Sequence, residues 1–201
     1  MKTILITGGD GDIASTLAKR LANDFNIYIP NKKDLDVSDV ISVDSYMGDK
    51  KFDIVINTAG VLYSSLLVDS DPYLWIRDIN VNLIGTYLVT RRAILNYKHS
   101  RIINISSTAA YESYKDWTSY CASKSGVLKL SGGLVKNGFD VVVLCPGAID
   151  TKLRKGLTIN NPNVMDLDEG IAPIIDAING RYSSGDIVFY RKNNLIVRHD
   201  F

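Results

Sequence analysis

Short apolar, β-branched runs recur along the chain at Thr3 to Thr7, Asn26 to Ile29, Phe52 to Asn57, Arg101 to Ile105, Phe139 to Leu144 and Asp186 to Tyr190. Each has strand length and helix-length segments separate them, so the pattern predicts successive βαβ units around a parallel sheet. Runs such as Ile54-Val55-Ile56 and Val141-Val142-Val143-Leu144 are apolar at every position. A strand needs this when helices cover both of its faces. The helical segments also carry start signals. Asp71 stands before Pro72, and apolar positions then repeat at Leu74, Ile76, Ile79, Leu83, Tyr87 and Leu88, which predicts a long helix to about Asn96. A second helix is predicted from about Ser119 to Lys136, where Val127, Leu128, Leu130, Leu134 and Val135 fall largely on one side and Gly132 and Gly133 weaken the end. Asp168 is a candidate cap for a third, with Pro173 interrupting its beginning. No Pro- or Ser-rich linker and no repeat divides the sequence, so the expectation is one doubly wound α/β domain over 1–201.

Composition narrows the class. A chain of 201 residues buries a sizeable core without disulfides or metals. Its 23 basic and 22 acidic residues leave a net charge of +1, which gives no reason to expect nucleic acid as a partner. The N-terminal apolar run is too short for a signal peptide and no stretch approaches bilayer length, so no membrane association and a cytoplasmic location are expected. Cys121 and Cys145 lack metal-ligand spacing and read as buried free thiols. Two histidines, His99 and His199, argue against a His-based metal site or a Ser-His-Asp triad. No metal is expected.

Candidate chemistry begins directly after the first run. Gly9-Asp10-Gly11-Asp12-Ile13-Ala14 fits the Gly-x-Gly-x-x-Gly/Ala dinucleotide pattern in a strand-to-helix setting. Glycine allows the tight turn and lets backbone approach a pyrophosphate, the small residue lets the helix pack on the strand, and the anion rests on amides of the helix N-terminus. Asp10 and Asp12 oppose phosphate unless they turn away, although Asp12 suits the helix dipole.

With the later segments included, the sequence resembles the short-chain dehydrogenase/reductase family along nearly its whole length. Thr7-Gly8-Gly9-Asp10-Gly11-Asp12-Ile13-Ala14 resembles the cofactor loop, with glycine spacing closer to the family's extended branch and Ala14 where glycine is usual. Asn57-Thr58-Ala59-Gly60 resembles the Asn-Asn-Ala-Gly segment that supports the sheet and adjoins the adenosine ribose. Asn82, in Asn-Val-Asn-Leu-Ile-Gly, matches the helix asparagine, while Ser107, Tyr120 and Lys124 match the catalytic serine, tyrosine and lysine in order and spacing. Asp36-Val37 resembles the pair that meets the adenine ring, and Pro146-Gly147-Ala148-Ile149-Asp150-Thr151 the turn that contacts the nicotinamide end.

The resemblance implies a sheet order of 3-2-1-4-5-6-7, a further short helix after Asp34 and one more strand near Ile196. It also implies reversible hydride transfer between a nicotinamide and a small carbonyl or alcohol substrate, a proton relay through Asn82 and Lys124, a compact substrate region at about 147–170, and assembly as a homodimer or homotetramer. Tyr111, Tyr114, Trp117, Leu153 and Leu157 are candidate pocket walls. The alternatives are a sugar-nucleotide reductase, epimerase or dehydratase, suggested by the glycine spacing, and a non-catalytic nicotinamide sensor, which the presence of Ser107, Tyr120 and Lys124 together disfavours.

The residues themselves suit this chemistry. Tyr120 and Lys124, four apart, share a helix face, and an ammonium beside a phenol is expected to lower its pKa from near ~10. Ser107 stands at a strand's carboxyl end, where it could donate to a substrate oxygen. The second strand ends Ile29-Pro30-Asn31-Lys32-Lys33 with no acid at its tip, which favours NADP(H), with Asn31, Lys32 and Lys33 toward the 2′-phosphate, over NAD(H).

Overall fold

The computed structural model describes residues 1–155, 157 and 161–201. Its seven strands are β1 (Thr3–Ile6), β2 (Asn26–Tyr28), β3 (Ile54–Asn57), β4 (Arg101–Ile105), β5 (Val141–Pro146), β6 (Ile187–Arg191) and β7 (Asn194–Arg198). They form one sheet in the order β2-β1-β3-β4-β5-β6-β7. The first six are parallel. Six α-helices accompany them: α1 (Asp12–Leu21), α2 (Val40–Met47), α3 (Pro72–Ile79), α4 (Gly85–Asn96), α5 (Thr118–Lys136) and α6 (Leu167–Ile178).

The continuously apolar strands are buried on both faces, as the pattern requires. Ile4, Ile6, Val142 and Leu144 belong to a core with α1 and α6. Their neighbours Leu5, Val141 and Val143 point the other way, into a core with α2, α4 and α5. This is a doubly wound sheet: in the central strands the period-2 alternation sends successive side chains into one of two apolar layers, while β7 and the start of β2 at the two edges are exposed.

Three expectations are corrected. The order 3-2-1-4-5-6-7 is not found, because the segment after Asp34 makes the expected short helix α2 and then crosses directly to β3 on the far side of β1. Among the described residues β2 is therefore one edge of the sheet and β7 the other. The strand near Ile196 exists, but β7 runs antiparallel to β6. Only Lys192 and Asn193 separate the two strands, and Asn193 takes φ 60°, a tight turn that no parallel connection could use. Third, α6 is capped by Asp166 rather than Asp168. Asp166 accepts from the Glu169 amide at 2.8 Å while the Glu169 carboxylate accepts from the Asp166 amide at 2.9 Å. Asp168 pairs instead with Arg20 at 2.6 Å, and Pro173 lies inside the helix.

The long helix predicted from Pro72 is present with a defect. Asp71 caps α3 by accepting from the amides of Tyr73 and Leu74. A π-helical segment, Asn80–Ile84, then separates α3 from α4.

Candidate active site

The segments that leave β1, β3, β4 and β5 at their carboxyl ends border one cleft of about 690 Å³, to which the first turns of α5 also contribute. Doubly wound sheets place ligands at this edge.

The loop after β1 depends on glycine for two different reasons. Gly8 has φ 73°, and a Cβ there would stand 2.8 Å from the Ala59 Cα. A Cβ at Gly9 would stand 2.6 Å from the Ile29 carbonyl oxygen, so this residue packs against the end of β2 and does not face the cleft. No side chain caps the start of α1 at Gly11, which leaves its first amides open to an anion. In front of Gly11 an added Cβ would meet only the Gly8 carbonyl oxygen, at 3.1 Å. An uncapped helix start facing open space fits a pyrophosphate. Asp12 turns aside: its carboxylate accepts from the Lys152 amide at 2.6 Å and lies 3.2 Å from the Lys152 ammonium. Lys152, through its amide first, holds this carboxyl below the usual aspartate range. Gly8, Asp10, Gly11, Asp12 and Ile13 all line the cleft.

Beyond β2, Lys32, Asp36 and Val37 line the cleft, whereas Asn31 and Lys33 do not. The Asn31 side chain is used locally, accepting from the Lys33 and Asp34 amides at 2.7 and 3.2 Å. Lys32 lies 3.6 Å from Asp36. Burial pushes the Asp36 carboxyl up, but hydrogen bonds from Ser38 and the Lys32 charge outweigh it and the net shift is downward. Ala59 and Gly60 line the cleft; Asn57 lies beneath it, donating to Thr90 Oγ1 and Asn104 Oδ1 at 3.0 and 2.8 Å and so tying β3 to β4 and α4.

At the other end stand Ser107, Tyr120 and Lys124, 8%, 8% and 5% exposed, together with Pro146, Gly147, Ile149 and Thr151. The Ser107 hydroxyl accepts from the Ala109 amide at 3.1 Å, which fixes it at the start of a short 3₁₀ turn. Lys124 donates to the Ile105 carbonyl at 2.9 Å, and its ammonium is 5.6 Å from the Tyr120 ring centre. The expected lowering of the Tyr120 pKa is not seen. Burial dominates and pushes the phenol up to about 12, against a smaller pull from the Ser107 hydroxyl. Burial likewise brings Lys124 down to about 8.

Asn82 is fully buried in the π segment and does not reach the cleft wall. It accepts from the Val61 amide and donates to the Val61 carbonyl, both at 2.9 Å, and donates to Ser123 Oγ at 3.0 Å. Tyr114, Trp117, Leu153 and Leu157 line the cleft; Tyr111 packs on Phe189 instead. Gly156 and residues 158–160 of the expected substrate region lie outside the described residues. The two cysteines are free: Cys145 is buried, as expected, and Cys121 only half-buried. Among the described residues no group of His, Cys, Asp or Glu is placed to hold a metal, and no helix is long and apolar enough to cross a membrane.

Arg77 and Arg191, which no sequence motif singles out, also line the cleft, and Asp78 is completely buried. Asp78 carried a signal: Leu74, Asp78 and Asn82 are four apart, so two polar residues continue an apolar helix row.

The sequence profile of the short chain dehydrogenase family matches residues 34–162. The chain belongs to the short-chain dehydrogenase/reductase family. The matched span holds Asn82, Ser107, Tyr120, Lys124 and the turn after β5, but begins after the glycine loop, whose assignment rests on its geometry. An uncharacterized oxidoreductase of Staphylococcus aureus strain N315 is 31% identical over 161 residues, covering 75% of this chain and 68% of the relative. One of Staphylococcus saprophyticus is 32% identical over 163 residues, covering 75% and 69%. Among solved structures of this fold, a small-chain dehydrogenase in complex with NADPH superimposes with a TM-score of 0.84 at 19% identity, covering 94% of this chain and 96% of that one. A 3-ketoacyl-(acyl-carrier-protein) reductase from Brucella melitensis complexed with NADH gives 0.79 at 22%, covering 90% and 91%.

Proposed function

We propose that the chain is a nicotinamide-dependent oxidoreductase that interconverts a carbonyl and an alcohol on a small metabolite, with Tyr120 as general acid/base. The observation that carries this reading is the joint burial of Tyr120 and Lys124 beside Ser107, on the same cleft as an uncapped helix start bordered by glycine. The whole chain, 1–201, acts as one cofactor-binding domain, with its substrate region at about 147–170. Bound nicotinamide supplies or accepts the hydride. The protein's own share is positioning and proton handling. The amides at the start of α1 would hold the pyrophosphate, with Gly8, Asp10 and Ile13 beside it, and Asp36, Val37, Ala59 and Gly60 would meet the adenosine. Pro146, Gly147, Ile149 and Thr151 border the nicotinamide end.

In the reducing direction the Tyr120 hydroxyl gives its proton to the substrate oxygen, and Ser107 donates a hydrogen bond to the same atom as charge develops there. The charge on Lys124 favours the resulting phenolate. A water-mediated relay from Asn82 through Lys124 is kept as part of this proposal, although the Asn82 side chain is committed to Val61 and Ser123 and its carbonyl accepts from Thr86 Oγ1 at 2.7 Å.

NADP(H) is the favoured cofactor, on Lys32 alone of the three residues expected at the 2′-phosphate. Tyr73, Ile76, Tyr87 and Leu95 are exposed along α3 and α4, which supports assembly as a homodimer or homotetramer; light scattering finding only monomer would reject that. The reading is tested by a panel of carbonyls and alcohols assayed with NADPH and NADH at the absorbance of the reduced nicotinamide. Turnover with preference for NADPH is expected, NADH preference would overturn the cofactor choice, and binding without turnover of any substrate would overturn the activity.

A further inference from the structure

Two rows of polar side chains face each other where α3 and the π segment meet α5. Trp75 Nε1 donates to Thr118 Oγ1 at 3.0 Å, Ser119 Oγ donates to Asp78 Oδ2 at 2.8 Å, and Asn82 Nδ2 donates to Ser123 Oγ at 3.0 Å. Asp78 and Asn82 are four apart, as are Ser119 and Ser123, so both rows run along a single helix face. The next contact in the same direction is steric: a Cβ on Gly126 would stand 2.7 Å from Leu83 Cδ2. The helices therefore meet closely and in one register.

Tyr120 and Lys124 follow the two serines by one residue each. Their angular position on α5 is thus tied to the rungs. The Ser123 hydroxyl, while accepting from Asn82, donates to the Tyr120 carbonyl at 2.8 Å. From the other side the same two residues hold the loop after β3: Asp78 Oδ2 accepts from the Tyr63 amide at 2.8 Å, and Asn82 clamps both polar groups of Val61. Val61 and Leu62 line the cleft, as does Arg77, whose guanidinium is 3.2 Å from Asp78 Oδ1.

Asp78 is the unexpected member. It is 0% exposed, and an apolar residue would fill its place in the helix row without the cost of burying a carboxylate. We propose that Asp78 is a positioning residue of the active site, which joins the loop after β3 to α5 through Ser119 and so fixes the orientation in which Tyr120 and Lys124 face the cleft. The inference rests on the functional reading given above for Tyr120 and Lys124. Its charge adds a second effect. The titratable groups that bear on Tyr120 include Cys121 on its own helix, Asp78 on α3 and Cys145 on β5, with the Lys124 ammonium near its ring; those that bear on Lys124 are Cys145 and Asp78. Asp78 opposes the effect of burial on Lys124 and helps to keep it charged.

Two variants separate position from charge. Ser119→Ala removes one rung and leaves Asp78 paired with Tyr63 and Arg77. Asp78→Asn keeps its one oxygen as acceptor for the Tyr63 amide and the Ser119 hydroxyl, loses the acceptor that meets Arg77, and removes the charge. Lysine labelled at Cε is followed by NMR against pH, the Lys124 resonance being assigned by its loss in Lys124→Met, and kcat and KM are measured on any substrate found. Asp78→Asn is expected to move the Lys124 midpoint to lower pH. Ser119→Ala is expected to leave the midpoint in place and lower kcat about ten- to a hundredfold with the cofactor KM unchanged. An unmoved midpoint in Asp78→Asn, or a kcat for Ser119→Ala equal to that of the wild type, overturns the proposal. If Asp78→Asn does not fold, the kcat of Ser119→Ala decides. If the wild type turns over nothing, the reading of Tyr120 fails while the midpoint still tests Asp78.

Discussion

Burial acts on Tyr120 and Lys124 by the same physics with opposite consequences for charge: it disfavours the phenolate in one and the ammonium in the other. The phenol at about 12 stays protonated at neutral pH, which suits a proton donor, while Lys124 at about 8 loses its charge just above neutrality. Stability follows with a definite sign. Between pH 8 and 10.5 the folded chain has released the Lys124 proton that the unfolded chain still holds, so this residue makes the fold more stable as pH rises through that window. Tyr120 does the reverse, since between pH 10 and 12 only the unfolded chain ionises and stability falls. Denaturant midpoints measured against pH should therefore show Lys124→Met losing part of the rise between pH 8 and 10.5. Parallel curves for the variant and the wild type would contradict the burial argument. At this scale the gathering of Ser107, Tyr120 and Lys124 on one cleft was legible because residue type and spacing carry it, whereas their proton affinities were not, because desolvation depends on everything packed around the site.

Helices and strands were legible to the extent that local chemistry decides them. The Asp71-Pro72 start of α3 and the apolar stripe of α5 are local, and both were found. The start of α6 was misplaced by two residues because two acids compete there, and only Asp166 has a Glu three positions later to return its hydrogen bond. Asp166→Ala should cost about 1 kcal/mol, read as a lower denaturant midpoint, while Asp168→Ala, which removes only an exposed pair with Arg20, should cost less. Equal losses would contradict the assignment of the cap. The π segment could not be read from periodicity, since one extra residue in a turn leaves the apolar spacing on either side almost unchanged. Within it, Asn82 reaches Val61 and Ser123 at once, contacts that lie far from it in sequence and leave no local signal.

Over the whole molecule, the doubly wound architecture followed from strands apolar at every position, and the strand order did not. Pairing order is set by where each crossover lands, and the short path from α2 to β3 places β2 at the edge with no strand outside it among the described residues. The cleft needs no strand outside β2: the segments after β1, β3, β4 and β5 border it, with Lys32, Leu35, Asp36 and Val37 following β2. Those four strands gather a glycine loop, Ser107 and the turn at Pro146 around the first turns of α5, the assembly proposed to pass a hydride between nicotinamide and substrate while Tyr120 transfers the proton. The most direct test compares wild type with Tyr120→Phe, measuring cofactor affinity by fluorescence titration and turnover by absorbance of the reduced nicotinamide. Unchanged cofactor affinity and a loss of turnover of at least about a hundredfold are expected; a Tyr120→Phe protein that turns over substrate at the wild-type rate would overturn the role given to Tyr120.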